Sequence, residues 1–322
     1  MRARAFIHAA AGLGAHATPV ATLFSGLSRS PVLSADAPPV SLRPLARSLD
    51  ITLPRLVSRF GELAVIGARL CANQLAAPLP SACSVYLASG LGDVARSDAL
   101  YYQVVPPRSE MPSPAQFATS GNNMAAFFVA QQLQLVSRNL TVSQHDLSFE
   151  NTLQLALDDL AAGATHPVLV GGVDETTAPR EYYVRRYPLS EHHAIGEGSA
   201  WLVLASDSSR ALGELVGASC VPACNEGWAE QTAVRMRQCF GDSADITLLP
   251  GLRMTHAQMA ALHALFPEMQ MGQPAGWAGC YPTAVALTMA GTFAETPRAQ
   301  KTFAHINQDA QGRTGILVWR VY

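Results

Sequence analysis

The chain has 322 residues, of which 49% are apolar and 14% charged, with a formal net charge of −2. That length and apolar content require a sizeable buried core and argue against disorder. The near-zero net charge and the lack of a basic run argue against nucleic acid or an anionic membrane surface as the main partner. No apolar stretch reaches the roughly 20 residues a membrane span needs.

The opening segment, Met1 to Gly14, carries two arginines ahead of an apolar run. His8 interrupts that run, and its Ala and Gly residues supply little bulk. It therefore reads as a first β-strand from Ala5 to His8 rather than an export signal. A polar, Pro-rich stretch continues to Pro44. Within residues 51–75, Leu56, Phe60, Leu63, Ile66 and Leu70 recur at the spacing of one helix face. Ser84 to Ala88 reads as a buried strand that runs into the turn Ser89-Gly90-Leu91-Gly92. A short helix from Val94 to Tyr102 and a loop bearing Pro106, Pro107, Pro112 and Pro114 follow. Residues 115–135 are apolar over most of a helix circumference and predict one long buried helix.

Next come a strand over 139–143, an elbow, a helix over 148–162 and a strand from Pro167 to Val170. Gly196-Glu197-Gly198-Ser199 opens a further strand, Ala200 to Ala205. After residue 210 the pattern restarts, with a helix over 228–240, a strand from Ile246 to Leu249, helices over 255–265 and 283–294, and terminal strands through Trp319. Strands alternating with helices and buried on both faces predict a mostly parallel, layered α/β architecture. Two successive passes divide the chain into halves, 1–210 and 211–322.

Cys71, Cys83, Cys220, Cys224, Cys239 and Cys280 are scattered through a chain too large to need disulfide staples, and they read as reduced thiols. Cys220 and Cys224 have no second pair at matching spacing to make a zinc site. No metal is assigned to His192-His193. Gly171, Gly172, Gly196 and Gly198 form no phosphate-binding motif, and close backbone packing is the better account of them.

The order of these parts resembles the β-ketoacyl-acyl carrier protein synthases, or ketosynthases. The resemblance rests on Ser89-Gly90-Leu91-Gly92, Asn123, the elbow Ser143-Gln144-His145-Asp146-Leu147-Ser148, Leu169-Val170-Gly171-Gly172-Val173, Gly196-Glu197-Gly198-Ser199 and Asn307-Gln308-Asp309-Ala310-Gln311-Gly312. It implies a thiolase-type five-layered α/β/α/β/α sandwich built from two related halves, and an obligate dimer. Ketosynthase chemistry needs a thiolate and two imidazoles to attack a thioester and stabilise the enolate and oxyanion. The three family positions fall here on Asp146, Pro250 and Trp277, so all three roles are vacant.

Cysteine-less relatives of this kind are the chain-length factors of type II polyketide synthases. The short span between Val173 and Gly196 looks most like the compact members from aryl polyene clusters. The resemblance implies a non-catalytic, cytoplasmic subunit paired with an active ketosynthase and served by an acyl carrier protein, with no cofactor. Leu91, Val94, Ser97, Tyr101 and Phe117 would line the acyl channel and set chain length, whereas Phe127 and Phe128 read as core. Strand 139–143 (Asn139, Leu140, Thr141, Val142, Ser143) would pair across the dimer axis, since no lysine or proline blocks its edge. Arg185 and Arg186, near Tyr182, Tyr183 and Tyr187, would form part of a surface that meets the carrier protein or the partner.

Two rival readings stay open. One is a diverged acyltransferase or malonyl-acyl carrier protein decarboxylase working through Asp146 or His145. The other is a homodimeric acyl-binding protein. A Ser-His-Asp relay from Ser148 or Ser143, His145 and Asp146 is disfavoured, because neighbours on one elbow rarely align that way.

Overall fold

The computed structural model describes residues 4–14, 40–106, 111–177, 180–187, 195–224, 226–240, 245–272, 279–295 and 300–322. Ten strands form one mixed sheet. They are β1 (Ala5–Leu13), β2 (Ser84–Ala88), β3 (Asn139–Val142), β4 (Val168–Asp174), β5 (Gly198–Ala205), β6 (Gly213–Val221), β7 (Ile246–Pro250), β8 (Gln270–Met271), β9 (Lys301–Gln308) and β10 (Thr314–Val321). Their spatial order is β3-β2-β4-β5-β1-β6-β10-β9-β7-β8. Read from either end toward the middle, the same sequence of connections appears. The outer three strands are parallel, and the inner two are antiparallel to their neighbours. The two arms meet where Ala5 to Ile7 of β1 pair with Leu215 to Gly213 of β6.

The helices are α1 (Arg43–Ser48), α2 (Arg59–Ala72), α3 (Val94–Val104), α4 (Pro114–Ala118), α5 (Met124–Leu133), α6 (Ser148–Ala161), α7 (Arg180–Arg186), α8 (Trp228–Phe240), α9 (His256–Leu265) and α10 (Ala284–Glu295). Three apolar cores explain their stacking. Phe60, Leu63 and Ile66 of α2 and Val129 of α5 pack on Leu87, Val85, Trp201 and Val203. Phe149 and Leu153 of α6, with Val285 and Met289 of α10, lie between Tyr86, Val170 and Leu202 of one arm and Leu317 and Trp319 of the other. Met236 of α8 and Leu262 of α9 cover Ile306, Ile316 and Val318. Adjacent residues of β10 and of β5 thus feed opposite cores, as the two-residue period of a strand dictates. The result is a five-layered α/β/α/β/α sandwich.

The mostly parallel sheet expected from the sequence is not what forms. Of the nine strand pairings, five are antiparallel: β1–β5, β1–β6, β4–β5, β6–β10 and β9–β10. Strand β5, antiparallel to both its neighbours, is as fully buried as the parallel β2, so burial does not report strand direction. The single helix expected over 115–135 is two helices. Thr119 bonds back to Ala115 O at 3.0 Å, and Ser120-Gly121-Asn122-Asn123 breaks the helix, with Asn122 Oδ1 taking the backbone N–H of Asp93 at 3.1 Å. Strand β6 was not expected at all, since Gly213, Gly217 and Ser219 dilute its apolar pattern.

Gly171 and Gly172 of β4 are packing glycines. A Cβ on Gly171 would land inside the Trp201 indole, and one on Gly172 would crowd Ala286, Phe149 and Thr283. Gly171→Ala should therefore destabilise the fold by about 1–3 kcal/mol through overpacking. Chemical denaturation checks this, and a midpoint equal to wild type would show that Trp201 relaxes without cost.

Candidate functional site

The site is built where β3 ends. Past Val142 the chain turns through His145, whose φ of 52° is left-handed, and a single 3-10 turn, His145–Leu147, leads into α6. That turn drives residue 146 inward. Asp146 is 1% exposed, while His145 stays on the surface. Ser143 falls beyond the strand, which stops at Val142.

A buried carboxylate must be met by protein donors. Arg186, the last residue of α7, donates from Nε to Oδ1 and from Nη2 to Oδ2, both at 2.9 Å. Tyr187 OH donates to Oδ1 at 2.8 Å, and Arg253 Nη1 lies 4.0 Å from Oδ2. Arg253 also donates to the Arg186 carbonyl. Burial opposes the charge on Arg186, but the bonds and charge of Asp146 outweigh it and hold the guanidinium above its ordinary pKa. Burial, reinforced by Asp146, pushes the Tyr187 phenol well up, so it serves as a neutral donor. Asp146 is thus an ion-paired acceptor with both oxygens in use.

Tyr182 to Tyr187 were expected on a docking surface, and that is corrected in part. Tyr183 and Tyr187 are buried, and Arg186 turns inward to Asp146. An open depression of about 490 Å³ lies above, lined by Glu181, Tyr182, Arg185, Arg186, Arg253 and Ala310.

The structure brings the Pro250 segment to the same place. Gly251 N donates to Ile306 O at 2.8 Å, Arg253 N to Asn307 Oδ1 at 3.3 Å, and Asn307 Nδ2 to Asp146 O at 3.0 Å. Pro250 closes β7 and offers no proton-transfer group. Trp277 lies outside the described residues, as do His192 and His193. Beside the elbow, His305 Nδ1 bonds to Leu249 O at 2.8 Å and Nε2 to Glu150 Oε1 at 3.1 Å, all fully buried. Ser148 Oγ takes the Gln144 N–H at 2.8 Å and lies against the carbonyls of His145 and Ser89. It caps the elbow, and no Ser-His-Asp relay forms.

The glycine turn after β2 is held by one carboxylate. Asp174 Oδ1 accepts from Ser89 Oγ at 2.8 Å and from the N–H groups of Gly90 and Leu91 at 2.9 Å. Its Oδ2 takes Thr283 N at 3.0 Å and Thr283 Oγ1 at 2.8 Å. Burial pushes the Asp174 carboxyl up, and these donors partly offset it. Leu91 and Val94 are half-buried, while Ser97, Tyr101 and Phe117 are exposed, the last two by 58% and 69%. Beneath them Glu175 accepts the Ala95 N–H at the start of α3. Burial, then the charges of Asp93 and Glu197, push it up to about 8. Arg59 pairs with Glu197.

Arg253, Asp174, Glu175 and the His305–Glu150 pair were not anticipated, and Arg186 and Tyr187 were expected at a docking surface rather than on Asp146. One signal was available for Asp174 and Glu175: two carboxylates directly after an unbroken apolar strand. Among the described residues, no group of three His, Cys, Asp or Glu is placed to hold a metal ion, and no helix is long and apolar enough to cross a membrane.

Comparison with solved structures matches this arrangement over the whole chain. The ishigamide ketosynthase/chain length factor superposes with a TM-score of 0.78 at 16% identity, covering 99% of each chain. The AntDE:AntF type II polyketide synthase complex gives 0.78 at 11%, covering 100% of each. The chain has the ketosynthase fold. A β-ketoacyl synthase from Burkholderia phymatum STM815 shares it at a TM-score of 0.70 and 17% identity, over 99% of this chain and 100% of that one. No family model matches the sequence, and no curated protein is similar to it in sequence.

The ion pair at Asp146 and the raised pKa of Glu175 each have a consequence for stability. Asp146→Ala strands two guanidinium groups and should cost about 3–5 kcal/mol. Adding Arg186→Met should recover part of that loss in denaturant titrations; no recovery would show that the pair is not the source. Glu175 has a folded pKa of about 8 against an ordinary 4.5, so the folded state holds its proton more tightly. Its contribution is fully present below pH 4.5 and is lost as pH rises through 8. Glu175→Gln should thus gain stability relative to wild type between pH 5 and pH 9, read from paired unfolding curves. A pH-independent difference would contradict it.

Proposed function

We propose that this chain is a non-catalytic ketosynthase-like subunit, a chain-length factor, that pairs with an active ketosynthase and completes its acyl channel. The observation that carries this reading is Asp146. The nucleophile position of a ketosynthase elbow is filled by a carboxylate whose oxygens are tied to Arg186 and Tyr187. A buried carboxylate so paired is a poor nucleophile for acyl transfer, and Pro250 supplies no acid or base. That same engagement weighs against an acyltransferase or decarboxylase acting through Asp146 and His145.

Pairing is supported by the surface at the β3 end of the sheet. β3 is an edge strand, half-exposed, with β2 on one side only. Near it in the sequence, Tyr101, Tyr102, Val104, Met111, Phe117, Phe127 and Val136 are exposed large apolar groups. Helices α3 and α4 bury no residue of their own. Apolar groups concentrated along one segment in this way call for a partner. Asn139 to Val142 would pair across the dimer axis, with Ser143 just past the strand. Leu91, Val94, Ser97, Tyr101 and Phe117 would face the acyl channel. The partner's cysteine would carry the growing chain, an acyl carrier protein would deliver it, and the assembly would be cytoplasmic. We take residues 1–210 and 211–322 as the two related halves. The finer placement, among aryl polyene systems, rests on the short span between Val173 and Gly196.

Co-expression with a cognate cysteine-bearing ketosynthase, with only this chain tagged, tests the reading. A one-to-one complex is expected. Tyr101→Ala and Phe117→Ala should each lengthen the product by one or more two-carbon units while elongation persists. A homodimer that turns over malonyl-acyl carrier protein, and loses that activity in Asp146→Ala, would overturn it.

A further inference from the structure

An 11-residue helix that buries nothing is marginal on its own in water, so something other than core packing must hold α3. The structure shows polar ties at both ends. At the start, Asp93 Oδ1 accepts the Arg96 N–H at 3.2 Å, and the Arg96 guanidinium donates to Thr119 Oγ1 at 3.2 Å and Leu56 O at 2.9 Å. At the far end, the Gln103 amide is used in both directions. Nε2 donates to Gln116 Oε1 at 2.8 Å, and Oε1 accepts the Ser113 N–H at 3.2 Å.

Arg96 and Gln103 are seven residues apart, two turns along one face of α3. They meet the C-terminal and N-terminal ends of α4 respectively, so the two helices form an antiparallel pair joined by side-chain hydrogen bonds. Tyr101, Tyr102 and Val104, which flank Gln103, and Phe117, which follows Gln116, are the exposed apolar groups of this pair.

We infer that Gln103, through Gln116 and Ser113, is a positioning residue that fixes how far the Tyr101 and Phe117 face reaches into the acyl channel. The inference rests on the chain-length reading above and deepens it. Bulk at Tyr101 sets where the channel ends; the Gln103 amide sets how sharply that end is defined. Release of the amide leaves α3 fastened only at its N-terminal end, so its aromatic tip samples several depths.

The test uses the full chain, alone and in complex with its ketosynthase, as wild type, Gln103→Met, Gln116→Met and the double variant. Hydrogen exchange on the isolated chain should rise at least several-fold over 98–104 in Gln103→Met, with α2 unchanged. In the complex, Gln103→Met should spread the product over two or more adjacent chain lengths, where Tyr101→Ala gives a single shifted length. The double variant should be no broader than Gln103→Met, because the one bond lost in Gln116→Met is already among the two that Gln103→Met removes. Unchanged exchange would show that the amide does not hold α3. Raised exchange with an unchanged product would show that the Gln103 hold on α3 does not set how sharply length is defined. Either result overturns the inference and leaves the chain-length reading standing. A wild-type chain that forms no elongating complex removes both.

Discussion

A carboxylate taken out of water is tolerable only where protein donors replace its hydration, and around Asp146 that requirement organises half of the site. Arg186 and Tyr187 are delivered by α7, Arg253 by the segment after β7, and Asn307 by the end of β9. Three pieces of chain, drawn from both arms of the sheet, therefore converge on one elbow. In an elbow built for thioester chemistry that convergence would have to leave a nucleophile reachable. Here the same geometry spends its donors on holding the acid still, and the site becomes a joint between the arms.

The joint works because the scaffold around it is already fixed. Alternate residues of β5 and β10 enter different cores, so neither arm can slip in register without moving Trp201 or Trp319 to the wrong layer. Asp174 adds a second anchor of the same type, tying the Ser89 to Leu91 turn to Thr283 at the start of α10. Both anchors are buried acids matched by several donors. They tie separate elements together, while α3 and α4 at the β3 end of the sheet have no buried residue of their own.

This division also explains which parts could be read from the sequence. Most of the element order was legible, because two-residue and 3.6-residue apolar periods mark strands and helices directly, but Gly213–Val221 and the short elements Arg43–Ser48, Arg180–Arg186 and Gln270–Met271 were not. Strand direction was not, because a strand covered on both faces carries one signature whichever way its neighbour runs. The long helix expected over 115–135 failed at Ser120 to Asn123, where polar groups in an apolar region signalled a break. Asp146 could be singled out by position, yet its partners Arg186 and Arg253 stand 40 and 107 residues further along the chain, in segments that look like solvated surface. Glu150 and His305, 155 residues apart, carry no local signature at all. Pairings of that kind follow from the topology and not from the spacing of residues.

The contrast between the core and the α3–α4 pair bears on how such a subunit would diversify. Within the three cores a change of one methylene is felt by close-packed neighbours on both sides of a strand. In α3 and α4 no side chain is buried, and the contacts that fix them are single hydrogen bonds of modest net worth, about 0.5–1.5 kcal/mol each. Substitutions at Tyr101, Gln103, Gln116 or Phe117 therefore alter an exposed face at little expense to the fold. A scaffold that isolates such a face from its packing in this way can be retuned by single residues.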